Sequence, residues 1–224
     1  IITYWSSLDN YGQVLQCYAL QQYLKNNGAE PYLIKYKPEN KISKVKWLLS
    51  KFKIKYITSF FNGERSKNKA LVEVYKDAAE KAQKCKFDEF RKTYINSTDK
   101  IYTSLQELIV NPPDADVYVC GSDQVWHDSY FQDNVAGWFL QFGNAPKVSY
   151  AASIGRDITD KKEKKILQKY LSTFKAISVR EDSTKKLCQT LGFEGTRTAA
   201  DPTLLLNQGD YLRIAKRETR ANYI

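Results

Sequence analysis

A small set of polar residues could do chemistry, and each follows a short apolar run. Asp123 comes after Gly121-Ser122 at the end of residues 116–120. It can take a proton, bind a sugar hydroxyl or cap the following helix. Gly121 lets backbone approach a ligand or turn sharply, and Ser122 and Gln124 flank the carboxylate. Trp126 offers a ring face to a sugar, although core packing is the commoner use of tryptophan. Arg180 directly follows residues 176–179. An arginine there must reach a carboxylate, a phosphate or a carbonyl, and its planar fork suits planar anions. An internal ion pair with Glu181 or Asp182 is the competing role. Arg156, three residues after Ser153, is a further anion candidate. Asn10, Tyr11 and Gly12 open a helical pattern whose first N–H groups can face an anion. His127 is the one histidine; it lies beside the Asp123 loop, where surface exposure competes with proton transfer.

The elements that must position these residues alternate. Residues 1–4, 31–36, 116–120, 147–151, 176–179 and 196–200 read as strands. Residues 11–27 read as a helix, capped by Asn10 and stopped by Gly28. Further helices are expected at 104–110, stopped by Asn111-Pro112-Pro113, at 160–174, and at 183–191, stopped by Gly192; Asn207 caps a last one. Residues 137–142 are apolar but ambiguous in type. Residues 37–93 are charged, aromatic and mostly helical in pattern, with a break at Asn62-Gly63. The rhythm predicts an α/β fold: a Rossmann-like, doubly wound parallel sheet flanked by helices. Such sheets bind ligands beyond the C-terminal ends of their strands. Polar residues cluster at four such ends: 7–10, 122–124, 153–156 and 180–182.

Composition sets outer limits. The 224 residues carry 35 basic and 25 acidic side chains, a net charge of +10, with much of the excess between Lys35 and Lys92. A solvated lysine-rich face accounts for this, and no nucleic-acid-binding module accompanies it. Cys17, Cys85, Cys120 and Cys188 are far apart, which argues against zinc; Cys17 and Cys120 lie in apolar runs and read as core. No apolar run approaches the roughly 20 residues that span a bilayer. No Walker loop, G-x-G-x-x-G, G-x-S-x-G or cysteine–histidine motif is present. Residues 1–4 already read as strand and 221–224 as the start of another, so both ends are expected to be cut.

Five segments carry a family resemblance. Asp9-Asn10-Tyr11-Gly12-Gln13-Val14-Leu15-Gln16-Cys17-Tyr18-Ala19-Leu20 resembles the opening motif of the polysaccharide pyruvyl transferases, and Gly121-Ser122-Asp123-Gln124-Val125-Trp126 their central motif. Ser149-Tyr150-Ala151-Ala152-Ser153-Ile154-Gly155, Ser178-Val179-Arg180-Glu181-Asp182 and Asp201-Pro202-Thr203-Leu204-Leu205 resemble three more, in the family's order. The resemblance implies a GT-B-like architecture, two α/β domains facing across a cleft. Residues 1–206 would form the N-terminal Rossmann-like domain, with a helical excursion at about 37–95, and 207–224 a linker and the start of the second domain. It implies transfer of pyruvate from phosphoenolpyruvate to a sugar hydroxyl as a ketal, during surface or capsular polysaccharide synthesis. The acceptor would be a sugar or lipid-linked oligosaccharide, met in the cytoplasm or at the inner membrane face, with peripheral membrane contact open. No cofactor and no metal are implied. Arg180 matches a motif arginine associated with donor binding, and Asp123 is the candidate acceptor contact or base. Asn10, Tyr11, Gly12, Gly121, Ser122, Gln124, Trp126, Ser153 and Arg156 would line the substrate. A second arginine and a histidine would come from the second domain, so this stretch alone would be inactive. A nucleotide-sugar glycosyltransferase on the same frame, or an inactive glycan-binding member, remain the alternatives.

Overall fold

A computed structural model describes residues 1–5, 10–38, 87–127 and 135–215. The greater part of the helical excursion, including Asn62-Gly63, lies outside the described residues, as do Ser7 to Asp9, Cys85 and residues 216–224.

Helix α1 spans Tyr11–Asn26. Its ends follow from local chemistry. Asn10 is extended and its side chain accepts from the Gln13 N–H. At the other end Gly28 takes φ 85°, while Gly28 N donates to Lys25 O and Ala29 N to Leu24 O. This pair of bonds satisfies the last carbonyls and ends the helix. Strand β1 (Leu33–Tyr36) follows, then α2 (Phe87–Tyr94), β2 (Ser97–Tyr102), α3 (Leu105–Val110) and β3 (Tyr118–Cys120). The short α4 (Val135–Trp138) precedes β4 (Lys147–Ala152), α5 (Lys161–Leu171), β5 (Phe174–Val179), α6 (Asp182–Thr190) and β6 (Arg197–Thr198). A 3-10 turn at Pro202–Leu204 and α7 (Gln208–Leu212) complete the described chain.

Three expectations change. Strand β2 was not expected, because its first four residues, Ser97 to Lys100, are polar and only Tyr102 is buried. Phe174 opens β5 rather than closing the preceding helix, which ends at Leu171. Residues 1–4 form no full strand; Ile2 makes an isolated parallel bridge to Cys120.

That short stretch nonetheless occupies the middle of the sheet. Ile1 N donates to Tyr32 O (2.8 Å) and Ile34 N to Ile1 O (2.7 Å), the parallel pattern on one side. On the other side Ile2 N donates to Val119 O and Gly121 N to Ile2 O, both at 2.8 Å. With β1 paired to β2 and β3 through β6 paired in sequence, all parallel, the order is β2, β1, Ile1-Ile2, β3, β4, β5, β6. Numbered along the chain this begins 3-2-1-4-5-6, the doubly wound order, and it reverses direction between Ile2 and β3. The ligand crevice of such a sheet lies beyond the strand ends at that reversal. The described segments there are residues 3–5 and 121–126.

One apolar cluster joins the sheet to its helices through Ile2, Ile34, Tyr36, Cys120, Trp126, Phe139, Leu167, Leu171 and Val179. A second, with Val14, Cys17, Tyr18, Leu33, Phe87 and Ile95, seats α1 and α2. Helix α1 also buries Gln13, Gln16 and Gln21. Gln21 clamps β2, donating to Asn96 O (2.8 Å) and accepting from Asn96 N (3.0 Å).

Candidate active site

The loop after β3 is built into the sheet. Gly121 is buried, and a Cβ there would lie 3.1 Å from Thr3 Cβ and 3.2 Å from Ile1 Cγ2. Its missing side chain therefore makes room for the neighbouring strand, not for a ligand. Thr3 Oγ1 donates to Ser122 O (2.8 Å) and accepts from Gln16 Nε2 (3.0 Å), tying the loop to α1. Asp123 then adopts φ 78°, a left-handed conformation that aspartate tolerates better than most residues. It bridges to Ala152, and its O accepts from Ser153 N (3.0 Å). Its Oδ1 accepts from Gln124 N (2.8 Å). Strain of this kind recurs where a functional side chain is aimed.

The ends of β4 and β5 meet this loop. Strand β4 is irregular between Ser149 and Ala152, where Ala151 has φ 48°. Ser178 Oγ accepts from Ala151 N (3.1 Å) and donates to Ser149 O (2.9 Å), so a side chain replaces part of the ladder. Such irregularities re-aim the residues that follow. Here they are Ala152 and Ser153, with Asp123 bonded on one side and Arg180 N donating to Ala152 O (3.2 Å) on the other. Asp123 and Arg180 thus stand two strand spacings apart, with β4 between them, about 9.5 Å across the sheet.

Five motif residues from four strand ends form one polar network. Ser153 Oγ donates to Glu181 Oε1 (2.6 Å), which also accepts from Arg180 Nε (3.3 Å). Arg180 Nη1 donates to Asp201 Oδ2 (3.3 Å), and Ser122 Oγ to the same oxygen (3.4 Å). Arg180 is therefore paired, with Glu181 and Asp201; Asp182 instead accepts from Thr198 Oγ1 (2.7 Å). Both arginine bonds are long for charge-assisted pairs, which prefer about 2.7–2.9 Å. Nη2 has no partner among the described residues, and the side chain is 30% exposed. Glu181 and Asp201 were not among the candidate site residues; their motifs pointed to them, but the meeting of Ser122 with Asp201 spans 79 residues.

Other candidates are placed differently. Arg156 is not an open anion site: Nη1 and Nη2 donate to the two oxygens of Glu163, each at 3.0 Å, and Nε to His127 O (3.2 Å). The fork–fork geometry fixes the start of α5. Trp126 is 0% exposed, stacked on Phe139 at 5.2 Å and edge-on to Phe174, so it presents no platform to solvent. Ser122 and Ser153 are buried, their hydroxyls committed to carboxylates. Gln124 is exposed beside Gly155, where a Cβ would meet its Nε2 at 2.7 Å. Asn10 caps α1, Tyr11 is 61% exposed and packs on Phe87, and Gly12 lies in the first turn. His127 is exposed, with Nδ1 3.0 Å from Ile154 O.

The model of the polysaccharide pyruvyl transferase family matches residues 10–224. The chain belongs to this family. Searches among curated proteins and among solved structures return no match. The family is one of transferases with polysaccharide acceptors, and the match takes in every candidate residue named above.

In this pyruvyl transferase family member, thiol chemistry has no footing at the described cysteines. Cys17, Cys120 and Cys188 are all buried. Burial pushes the Cys17 and Cys188 thiols up to about 12, and the Cys120 thiol up as well. All three are expected to resist alkylation at pH 8 until denaturant is added, as peptide mapping by mass spectrometry will show. The sign of the pH effect follows. The unfolded chain releases these protons from about pH 9 and the fold does not, so stability is full below pH 9 and falls as pH rises toward about 12. Among the described residues no group of three or more His, Cys, Asp or Glu side chains is placed to hold a metal. Nor is any helix among them long and apolar enough to cross a membrane.

Proposed function

We propose that the crevice beyond β3, β4 and β5 transfers pyruvate from phosphoenolpyruvate to a sugar hydroxyl, closing a ketal in the synthesis of a surface or capsular polysaccharide. The observation that carries this reading is the placement of a partly exposed Arg180 at the strand ends, its Nη2 without a partner among the described residues, two strand spacings from Asp123, in a chain of this family. The chemistry has three needs. An acid protonates the methylene carbon of the donor, which makes C2 electrophilic. A sugar hydroxyl attacks C2 and gives up its proton to a base; phosphate leaves, and a second hydroxyl closes the ring. The donor's carboxylate and phosphate require cationic donors that hold them. Arg180 meets the last need, and Asp123 is the base or acceptor contact. These residues form one wall. The opposite wall, with a second arginine and the acid, belongs in this reading to the second domain of a GT-B-like enzyme. Residues 1–206 are then the first domain. The enzyme works in the cytoplasm, where a lipid-linked acceptor meets it at the inner membrane face.

The test is incubation of the full-length enzyme with phosphoenolpyruvate and a panel of hexose and hexosamine acceptors, lipid-linked ones included. Phosphate release with a mass gain of one pyruvyl ketal is expected. Background phosphate across the panel rejects the reading, and release of nucleoside diphosphate from nucleotide sugars would replace it with glycosyl transfer.

A further inference from the structure

We propose that Asp201 is the positioning residue that aims Arg180 into the crevice and couples the loop after β3 to the loop after β5. The proposal rests on the donor-binding reading of Arg180 and adds a residue to it. Asp201 is held independently of the arginine. Its Oδ1 accepts from Thr203 N (3.0 Å) and Thr203 Oγ1 (2.8 Å) as it caps the 3-10 turn at Pro202–Leu204. That turn is tied down in its own right, because Tyr211 Oη donates to Thr203 O (2.6 Å) and Leu206 packs on the cluster around α1. Only Oδ2 faces the site, where it receives both Ser122 Oγ and Arg180 Nη1. Glu181 holds Nε. The guanidinium is thereby held at two of its nitrogens, Nε and Nη1.

Charge shows why this is positioning and not affinity. One cation and two carboxylates leave the cluster with a net charge of −1. An anionic donor gains nothing in the ground state from a second carboxylate beside its arginine; it is repelled by it. What Asp201 supplies is direction, and a fixed donor counts most where charge develops in the transition state.

Asp201→Asn removes the charge and keeps the shape. In the full-length enzyme, with phosphate release followed against phosphoenolpyruvate concentration, kcat is expected to fall about 10- to 100-fold. KM for phosphoenolpyruvate should stay level or drop. Thr203→Val leaves the charge and the backbone N–H bond but removes the hydroxyl bond to the carboxylate, and should lower kcat in the same direction by less. A raised KM with unchanged kcat, or no change in either, overturns the proposal. A second readout does not need turnover. The Arg180 Nε–H resonance, assigned by its loss in Arg180→Lys, should move and broaden in Asp201→Asn. An unmoved resonance overturns the coupling whatever the kinetics show. If the unaltered enzyme releases no phosphate, the donor reading fails while this resonance still decides whether Asp201 orients Arg180. Should Asp201→Asn fail to fold, the Thr203→Val resonance and kcat carry the same test.

Discussion

Arg180→Lys in the full-length enzyme is expected to lower kcat/KM for phosphoenolpyruvate by about 10²- to 10³-fold, the range seen when one preorganised donor to a developing charge is removed. Lysine keeps the positive charge, so the loss isolates geometry. The guanidinium bonds Glu181 through Nε and Asp201 through Nη1, and Nη2 has no partner among the described residues. An ammonium can satisfy one of these carboxylates at a time and has no fork left for the donor. The fold should hardly register the change. The side chain is 30% exposed, and partly exposed pairs contribute about 0–1 kcal/mol. For a chain of this size that moves Tm by at most about 4 °C. Steady-state kinetics with a thermal melt decides the matter. Normal kcat/KM in a folded variant would leave Arg180 as an internal ion pair and nothing more.

Trp126→Ala is expected to act in the opposite place, on stability. Removing a fully buried tryptophan costs about 3–5 kcal/mol, which for this length lowers Tm by roughly 10 °C or more. The indole lies parallel to Phe139, with 7° between the planes, and edge-on to Phe174. Alanine would leave a cavity directly beneath the Asp123 loop. Trp126→Phe should recover much of the loss, since a ring still covers Phe139. Chemical denaturation with acceptor titrations separates the two roles. Unchanged stability with lost sugar binding would return Trp126 to the surface as a platform.

How far the sequence carried depended on how local each cause was. Helix α1 was readable because its cap, Asn10, and its stop, Gly28, act within a turn of themselves. The same holds for α3 between Ser104 and Asn111. Strand β2 was not readable, because an edge strand with its charged residues in water lacks the apolar pattern that reports a strand. At the site, Ser153 and Arg180 were legible as strand-end residues. Glu181 was legible as a partner of Arg180, whereas Asp201 and the bond from Ser153 to Glu181 were not. Nothing near Arg156 announces that Glu163 will take both of its forks, although Asp160 and Glu163 mark a helix start. Asp201 joins Ser122 only because the parallel order brings the C-terminal ends of β3 and β6 to the same end of the sheet. Such meetings belong to topology, and one chain's spacing does not encode them visibly.

The central position of Ile1 and Ile2 bears on how the protein is born. On the ribosome these residues are made long before Cys120, their neighbour in the sheet. At about 5–20 residues per second, the intervening chain takes several seconds to follow. Until then one side of that strand has no partner, and the half-sheet with β1 and β2 presents an open, apolar edge. Closing it demands a contact of very long sequence separation, the slow kind. We therefore expect nascent chains stopped before residue 120 to bind chaperones that hold exposed strands, and chains stopped after it to be released from them.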